Sequence, residues 1–291
     1  MKKSVLVTGT STGLGLETAV HLAEKGYEVY ASVRDPNGQA AVEEAAARRN
    51  VQVNVLKLDI RKQEDIDNAV TTILKRSGAI YGLVNNAGIG LRGYFEDLSD
   101  AEIRELFNVN IFATMAVTRA VLPHMRQAGE GRIAIITSVG GLISSLAVSA
   151  YCASKFAQEG FGEGLAQEVR PLGIHVSLIE PAIIETERWS IHRRVAQGAR
   201  NPDSVYYKWF HRAERLADQL VETSQTRPID VARAVHRVMA ARRPRLRYLV
   251  GGRASLIVAM RRFLPASLFE RLYFGNAIRR VTAPDEVGSA H

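Results

Sequence analysis

Cysteine is almost absent: Cys152 alone excludes an internal disulfide framework and a cysteine-cluster metal site. Long apolar runs are missing too. The longest uncharged stretch, the 22 residues between Arg132 and Lys155, has the length to span a bilayer. Ser138, Ser144, Ser145, Ser149, Ser154 and the pair Gly140-Gly141 interrupt it, so a short buried strand at Ile133–Ile136, then a loop and a helix, are expected there. Lys2 and Lys3 precede an apolar run too short for a secretory signal, which makes a cytoplasmic protein the expectation. No internal repeat or low-complexity tract is present.

Acidic residues are scarce in one place. Residues 1–226 are near neutral, at −1, whereas 227–280 hold 13 arginines against Asp230 and Glu270, a net of +11. Such a segment suits an anionic membrane surface, a nucleic acid or an acidic partner. No recognition motif accompanies the arginines, so no nucleic-acid partner is expected. Peripheral membrane contact through 253–280 is the expectation that remains, since Arg261, Arg262 and Pro265 interrupt the apolar runs too often for a span. What is abundant is ordinary: 291 residues, 46% apolar and 23% charged, describe a globular chain and exclude a disordered or fibrous one.

Short apolar runs alternate with amphipathic ones. Ser4–Val7, Glu28–Val33, Gln52–Leu56, Ile80–Val84, Arg132–Ile136, His175–Ile179 and Arg247–Val250 read as strands. Gly15–Lys25, Ala40–Arg49, Glu64–Arg76, Ala101–Gln127, Tyr151–Arg170 and Asp230–Arg242 read as helices. This alternation predicts an α/β fold: a Rossmann-type, doubly wound, mainly parallel seven-stranded sheet with helices on both faces, in a single domain. The expected layout is one α/β domain over 1–252, with a helical stretch at 182–226 outside the alternation, and a basic-apolar extension over 253–291.

The first strand runs into Thr8-Gly9-Thr10-Ser11-Thr12-Gly13-Leu14-Gly15, and a helix pattern follows at once. Glycines there allow a tight turn and close approach of backbone to a pyrophosphate, and the helix start offers unpaired N–H groups. No Gly-Lys-Ser/Thr ending follows, which argues against an NTPase loop. Arg34, at the end of the second strand, has a planar charged fork suited to a 2′-phosphate, and Ser11 could add a hydroxyl. A shift in that turn would instead bring Asp35 toward the ribose. NADP(H) is therefore expected over NAD(H).

The Gly-x3-Gly-x-Gly spacing after Thr8 resembles the short-chain dehydrogenase/reductase family, and the resemblance accumulates along residues 4–186. Asn85-Asn86-Ala87-Gly88, Asn110, Ser138, Tyr151 with Lys155, and Pro181 with Thr186 match the family's motifs in order. The Val29–Asp35 segment and the long C-terminal extension resemble its hydroxysteroid and retinol dehydrogenases. The resemblance implies catalysis by Asn110, Ser138, Tyr151 and Lys155. It implies cofactor contacts from Gly9, Ser11, Thr12, Gly13, Leu14, Gly15, Arg34, Asp59, Ile60, Asn86, Ala87, Gly88, Tyr151, Lys155, Pro181, Ile184 and Thr186, and no metal.

In that chemistry Tyr151 carries the proton. Lys155, one helical turn on, lowers its pKa from the free value of about 10, and Ser138 polarises the substrate oxygen. Asn110 would hold a water toward Lys155, and Asp59 would contact the adenine or cap the helix near Arg61. The family has Pro-Gly where this chain has Pro181-Ala182, so the loop there is expected to differ, because alanine resists a positive φ. Cys152 reads as a small buried residue.

The resemblance also implies a lid at about 182–226. The lid aromatics Trp189, Tyr206, Tyr207, Trp209 and Phe210, with Leu142, Ile143, Leu146 and Val148, suggest an apolar pocket. A hydrophobic ketone or secondary alcohol, steroid-, retinoid- or lipid-like, is the expected substrate. A homodimer or homotetramer through the helices starting near Ala101 and Tyr151 is implied as well. The alternative is a catalytically silent NADP(H)-binding sensor or scaffold.

Overall fold

The computed structural model describes residues 2–184 and 193–283. Seven parallel strands form one sheet in the order β3-β2-β1-β4-β5-β6-β7: β1 Ser4–Val7, β2 Glu28–Val33, β3 Asn54–Lys57, β4 Gly82–Asn85, β5 Gly131–Ile136, β6 Ile174–Pro181 and β7 Arg247–Val250. Every crossover is helical, as parallel neighbours require. The helices are α1 Gly13–Glu24, α2 Pro36–Arg48, α3 Gln63–Ser77, α4 Asp100–Phe107, α5 Thr114–Ala128, α6 Ser149–Val169, α7 Tyr207–Glu222 and α8 Pro228–Ala240. After β7 come α9 Gly252–Phe263, α10 Ala266–Phe269 and α11 Gly275–Thr282.

The central strands are buried on both faces, which is why their sequences run apolar without alternation. One face packs Leu6, Leu83, Ile133, Ile135, Val176 and Leu178 against α3, α5 and α6. The other packs Val5, Val7, Val84, Ala134 and Ile179 against α1 and α8. Each such valine, leucine or isoleucine contributes about 1.5–3 kcal/mol on burial. The uncharged stretch after Arg132 is divided as expected, its first part lying as buried β5 in the sheet. Another run, Asp100–Ala128, has the length and hydropathy of a membrane helix, but half of it is buried, with Val117, Val121 and Met125 in the core.

The expected single helix over Ala101–Gln127 is interrupted. Asn108–Ala113 forms a π-helical turn between α4 and α5. Inside it the Asn110 carbonyl accepts the Thr114 hydroxyl at 2.9 Å and the Gln158 amide at 2.7 Å. Bonds of this kind stabilise a widened turn that periodicity alone does not reveal.

Candidate active site

β1 ends at Val7 and the chain turns through Gly9 and Gly13, whose φ values of +68° and +57° suit glycine. A Cβ at Gly15 would stand 2.2 Å from the Gly9 carbonyl oxygen, and one at Gly9 would stand 2.8 Å from the Ala87 Cα. The turn is fixed from behind. Asn86 Nδ2 donates to the carbonyls of Thr8 and Gly9, both at 2.9 Å, and Thr8 Oγ1 accepts the Asn86 and Ala87 N–H groups at 3.0 Å. Thr10 N and Oγ1 both donate to the Ser32 carbonyl at 3.0 Å, and Gly9 N donates to Ser32 Oγ at 3.2 Å. Thr8, Thr10 and Ser32 were not among the expected site residues, and the Asn86 amide serves the turn itself. Thr12 precedes α1 without a side-chain cap bond, and the first turn of α1 carries no acidic residue. These features fit a phosphate-bearing dinucleotide.

At the end of β2, Arg34 is exposed. Asp35 accepts the Gly38 N–H at 3.0 Å and caps α2, so its carboxylate has a structural task. Ser11 lies beside Gly38, where a Cβ would meet the Ser11 Cβ at 3.0 Å. Asp59 does not cap α3, whose cap position is Lys62. Two bonds from Arg61, at 2.9 and 2.6 Å, hold the Asp59 carboxyl well below the usual carboxylate range, at about 2, and Arg34 adds a smaller electrostatic pull. Ile60 is buried in the core.

The strand ends of β4, β5 and β6 bring the remaining motifs together. Ser138 follows β5, and its Oγ accepts the Gly140 N–H at 2.9 Å. A Cβ at Gly140 would meet Ser138 Oγ at 3.3 Å and the Tyr151 ring at 3.4 Å, so the turn and the tyrosine share one wall. Lys155 is buried, with Nζ donating to the Ile136 carbonyl at 3.0 Å and to Gln158 Oε1 at 2.9 Å, and lying 5.8 Å from the Tyr151 ring centroid. Gln158 passes the connection on to the Asn110 carbonyl. It escaped the sequence reading, although it sits three residues beyond Lys155 on α6. The Asn110 side chain exchanges bonds with the Ile89 backbone at 2.8 and 3.0 Å and donates to Ser154 Oγ at 3.0 Å. Gly88 borders both, within 3.2 Å of Asn110 Oδ1 and 3.9 Å of Lys155 Nζ as measured from a built Cβ.

Pro181 ends β6, and Ala182 N donates to the Val250 carbonyl at 2.8 Å. Ala182 is not among the residues with positive φ, the region that alanine resists. The unusual conformation falls on Gly251 instead, at φ +129°, where a Cβ would stand 2.5 Å from that of Ala182. Ile184 is buried; Thr186 and Trp189 lie outside the described residues. Cys152 is buried, and burial pushes its thiol up, away from the nucleophilic thiolate.

Around Tyr151 lies an apolar cluster of Leu91, Leu146, Ala147, Ala150, Phe210 and Val281. Tyr206 stacks on Tyr94 at 4.8 Å, with Trp209 beside them, and Tyr207 meets His211 edge-on at 4.4 Å. Arg92, also absent from the sequence reading, ties this wall together: its backbone pairs with Arg194 and Ala196, and its guanidinium meets the buried Glu214. α11 docks on α7, with Arg212 Nη1 donating to the Val281 carbonyl at 3.0 Å.

Comparison with known proteins agrees with this geometry. The family model described as short chain dehydrogenase matches residues 3–194. Retinol dehydrogenase 8 of Bos taurus is 34% identical over 92% of this chain and 88% of its own. Among solved structures, a metagenomic short-chain oxidoreductase in complex with NADP superposes with a TM-score of 0.67 at 26% identity, over 85% of this chain and 96% of its own. One from Burkholderia phymatum in complex with NAD gives 0.78 at 23% identity, over 90% and 93%, a likeness of fold.

Proposed function

Since the chain belongs to the short-chain dehydrogenase family, we propose that it is an NADP(H)-dependent oxidoreductase acting on a hydrophobic ketone or secondary alcohol, steroid-, retinoid- or lipid-like. The observation that carries this reading is the assembly of Ser138, Tyr151 and a buried Lys155 at the strand ends beside the glycine turn. A bound nicotinamide supplies or accepts the hydride. Tyr151 gives its phenolic proton to the carbonyl oxygen during reduction and takes it back during oxidation. The Lys155 ammonium favours the phenolate and so brings the tyrosine into working range. Ser138 accepts from Gly140 N, which leaves its own O–H to donate to the substrate oxygen. Tyr151→Phe removes the transferable proton and should abolish NADPH-linked turnover of apolar ketones while leaving NADPH binding. Unchanged turnover would sink the mechanism.

For the cofactor, Arg34 is exposed beside the turn while Asp35 is spent on its helix, an arrangement that favours a 2′-phosphate over a bare ribose. Arg34→Ala should weaken NADPH about tenfold or more and leave NADH unaffected, given a charge-assisted bond of about 1.5–3 kcal/mol. An intact NADPH preference refutes the assignment. The apolar cluster around Tyr151 supports the substrate class, and retinol dehydrogenase 8 points the same way by its name. Exposed Phe112 and Phe156 on the helices around Asn110 and Lys155 support a homodimer or homotetramer, which sedimentation would test. Leu256, Phe263, Leu268, Leu272 and Ile278 stand exposed among the arginines of α9 to α11, which supports peripheral contact with an anionic membrane.

A further inference from the structure

Behind the catalytic face of α6 lies a group of charges that the reaction does not use. Tyr151, Lys155 and Glu159 recur every four residues along one helix face, one above another. Glu159 is 5% exposed and packs under the Ser138 turn, where a Cβ at Gly141 would stand 3.0 Å from its Cγ. Glu180, 2% exposed, is the penultimate residue of β6 and shares the sheet face of Leu178 and Val176, the side on which α6 packs. One cation serves both carboxyls. Arg247 of β7 has Nε 3.2 Å from Glu180 Oε1 and Nη2 3.3 Å from Glu159 Oε2. Its aligned bond, at 2.6 Å, goes to Glu163, which is half exposed. Among the described residues no well-aligned hydrogen bond reaches either oxygen of Glu159 or Oε1 of Glu180, although the Thr137 hydroxyl and Arg247 lie near enough to Glu159 to favour its charge.

Two buried carboxylates facing one shared and misaligned guanidinium leave an excess negative charge and three poorly matched acceptors, a costly arrangement. A single proton eases both faults: the protonated carboxyl donates to the other, and the one charge left on the pair matches Arg247, while Glu163 stands half exposed to solvent. Burial pushes Glu180 up to about 7, with the neighbouring Glu159 charge adding to it, and burial raises Glu159 as well. The charged groups facing the pair are Arg247 on β7 and, through it, Glu163 on α6; the Thr137–Gly141 turn adds the Thr137 hydroxyl but no charge, and α8 covers the opposite face of the sheet.

We propose that Glu159 and Glu180 share one proton and, with Arg247, form a positioning clamp that holds the Lys155 turn of α6 against the end of β6, loosening as the proton leaves to solvent. Both are positioning residues, acting through Lys155 on one side and Pro181 on the other. The consequence for turnover rests on the oxidoreductase reading; the proton itself does not.

The test has two arms on the full-length protein. Infrared titration of the free protein should show a protonated carboxyl band that disappears through neutrality and is missing from Glu180→Gln. NADPH affinity and kcat/KM should each fall by about tenfold, the equivalent of one pKa unit, from below neutrality to about pH 9 in the wild type. Glu180→Gln keeps a donor facing Glu159 permanently and should flatten both profiles. Glu159→Gln is the second variant if the first fails to fold. A Glu180→Gln profile superimposable on the wild type overturns the clamp, as does a wild-type spectrum without a band titrating near neutrality. The infrared arm needs neither cofactor nor substrate, so its failure is distinct from failure of the proposed activity.

Discussion

Gln158→Leu is the substitution that probes the proposed catalytic network most directly. The wild-type side chain is buried, accepts from Lys155 Nζ at 2.9 Å and donates to the Asn110 carbonyl at 2.7 Å. Leucine fills nearly the same volume, so packing loss should stay below about 1.5 kcal/mol. What disappears is a bond to a charged group, worth about 1.5–3 kcal/mol, and a neutral one worth about 1 kcal/mol. The Asn110 carbonyl keeps the Thr114 hydroxyl, so it is not orphaned. If only the charged bond acts in the transition state, kcat/KM should fall roughly 10- to 150-fold. Gln158→Glu moves the pH profile in a defined direction. A carboxylate beside Lys155 offsets the ammonium charge proposed to favour the Tyr151 phenolate, so the ascending limb of alcohol oxidation, where the base loses its proton, should shift to higher pH. Steady-state kinetics across pH with NADP, with circular dichroism as the folding control, measures both effects. A leucine variant within twofold of wild type and on the same pH profile would refute the bridge.

Asn86→Asp replaces the amide that donates twice to the glycine turn by a carboxylate facing the Thr8 and Gly9 carbonyls. Loss of two bonds of about 1 kcal/mol each should weaken NADPH binding at least tenfold, read by fluorescence titration. Gly141→Ala drives a Cβ to 2.9 Å from the Lys155 carbonyl, which cannot yield without moving the Lys155 turn of α6. Denaturant unfolding should report a loss of about 1–3 kcal/mol, and turnover should fall with it. Stability should also depend on pH through Glu180. Its folded pKa of about 7 lies above the ordinary carboxylate value, so the native state holds a proton that the unfolded chain releases. The favourable contribution is complete below the unfolded pKa and is lost as pH rises through 7, on the order of 3 kcal/mol in all. Urea midpoints that do not fall between about pH 4.5 and pH 7 would contradict that assignment.

Much of the fold is legible because its central strands are buried on both faces. β1, β2 and β7 coincide with their apolar runs, and β3 to β6 differ only at their ends. The glycine turn is legible for a related reason: close approach restricts Gly9 and Gly15 to one residue type. The π-helical turn is not legible, because its stabilising bonds come from Gln158 and Thr114 and periodicity through Asn108–Ala113 looks like ordinary helix. Arg92 and Ser32 are hidden for the same reason. Their partners, Glu214 in one case and Gly9 with Thr10 in the other, are brought to them only by the fold.

The basic segment shows how charge along a chain differs from charge on a surface. α8 ends and β7 begins at the strand-start edge of the sheet, so Arg242, Arg243 and Arg245 lie at the end opposite Tyr151. There Arg132, at the start of β5, binds the carbonyls of Ala241 and Arg242. β7 then carries the chain to the active-site edge, where Arg261, Arg262 and Arg271 alternate with exposed Leu256, Phe263 and Leu272, and Val281 reaches the cluster around Tyr151. Only the second set combines positive charge with unburied apolar side chains, the pairing that holds a peripheral helix on an anionic bilayer. Reversing Arg261 and Arg262 to Glu should therefore abolish salt-sensitive flotation with anionic vesicles, at about 1 kcal/mol per basic residue near the surface plus the repulsion introduced. Reversing Arg243 and Arg245 makes the same change in net charge and should leave flotation intact. Equal loss in both variants would mean that total charge, and not the placement of α9 to α11, draws the protein to lipid.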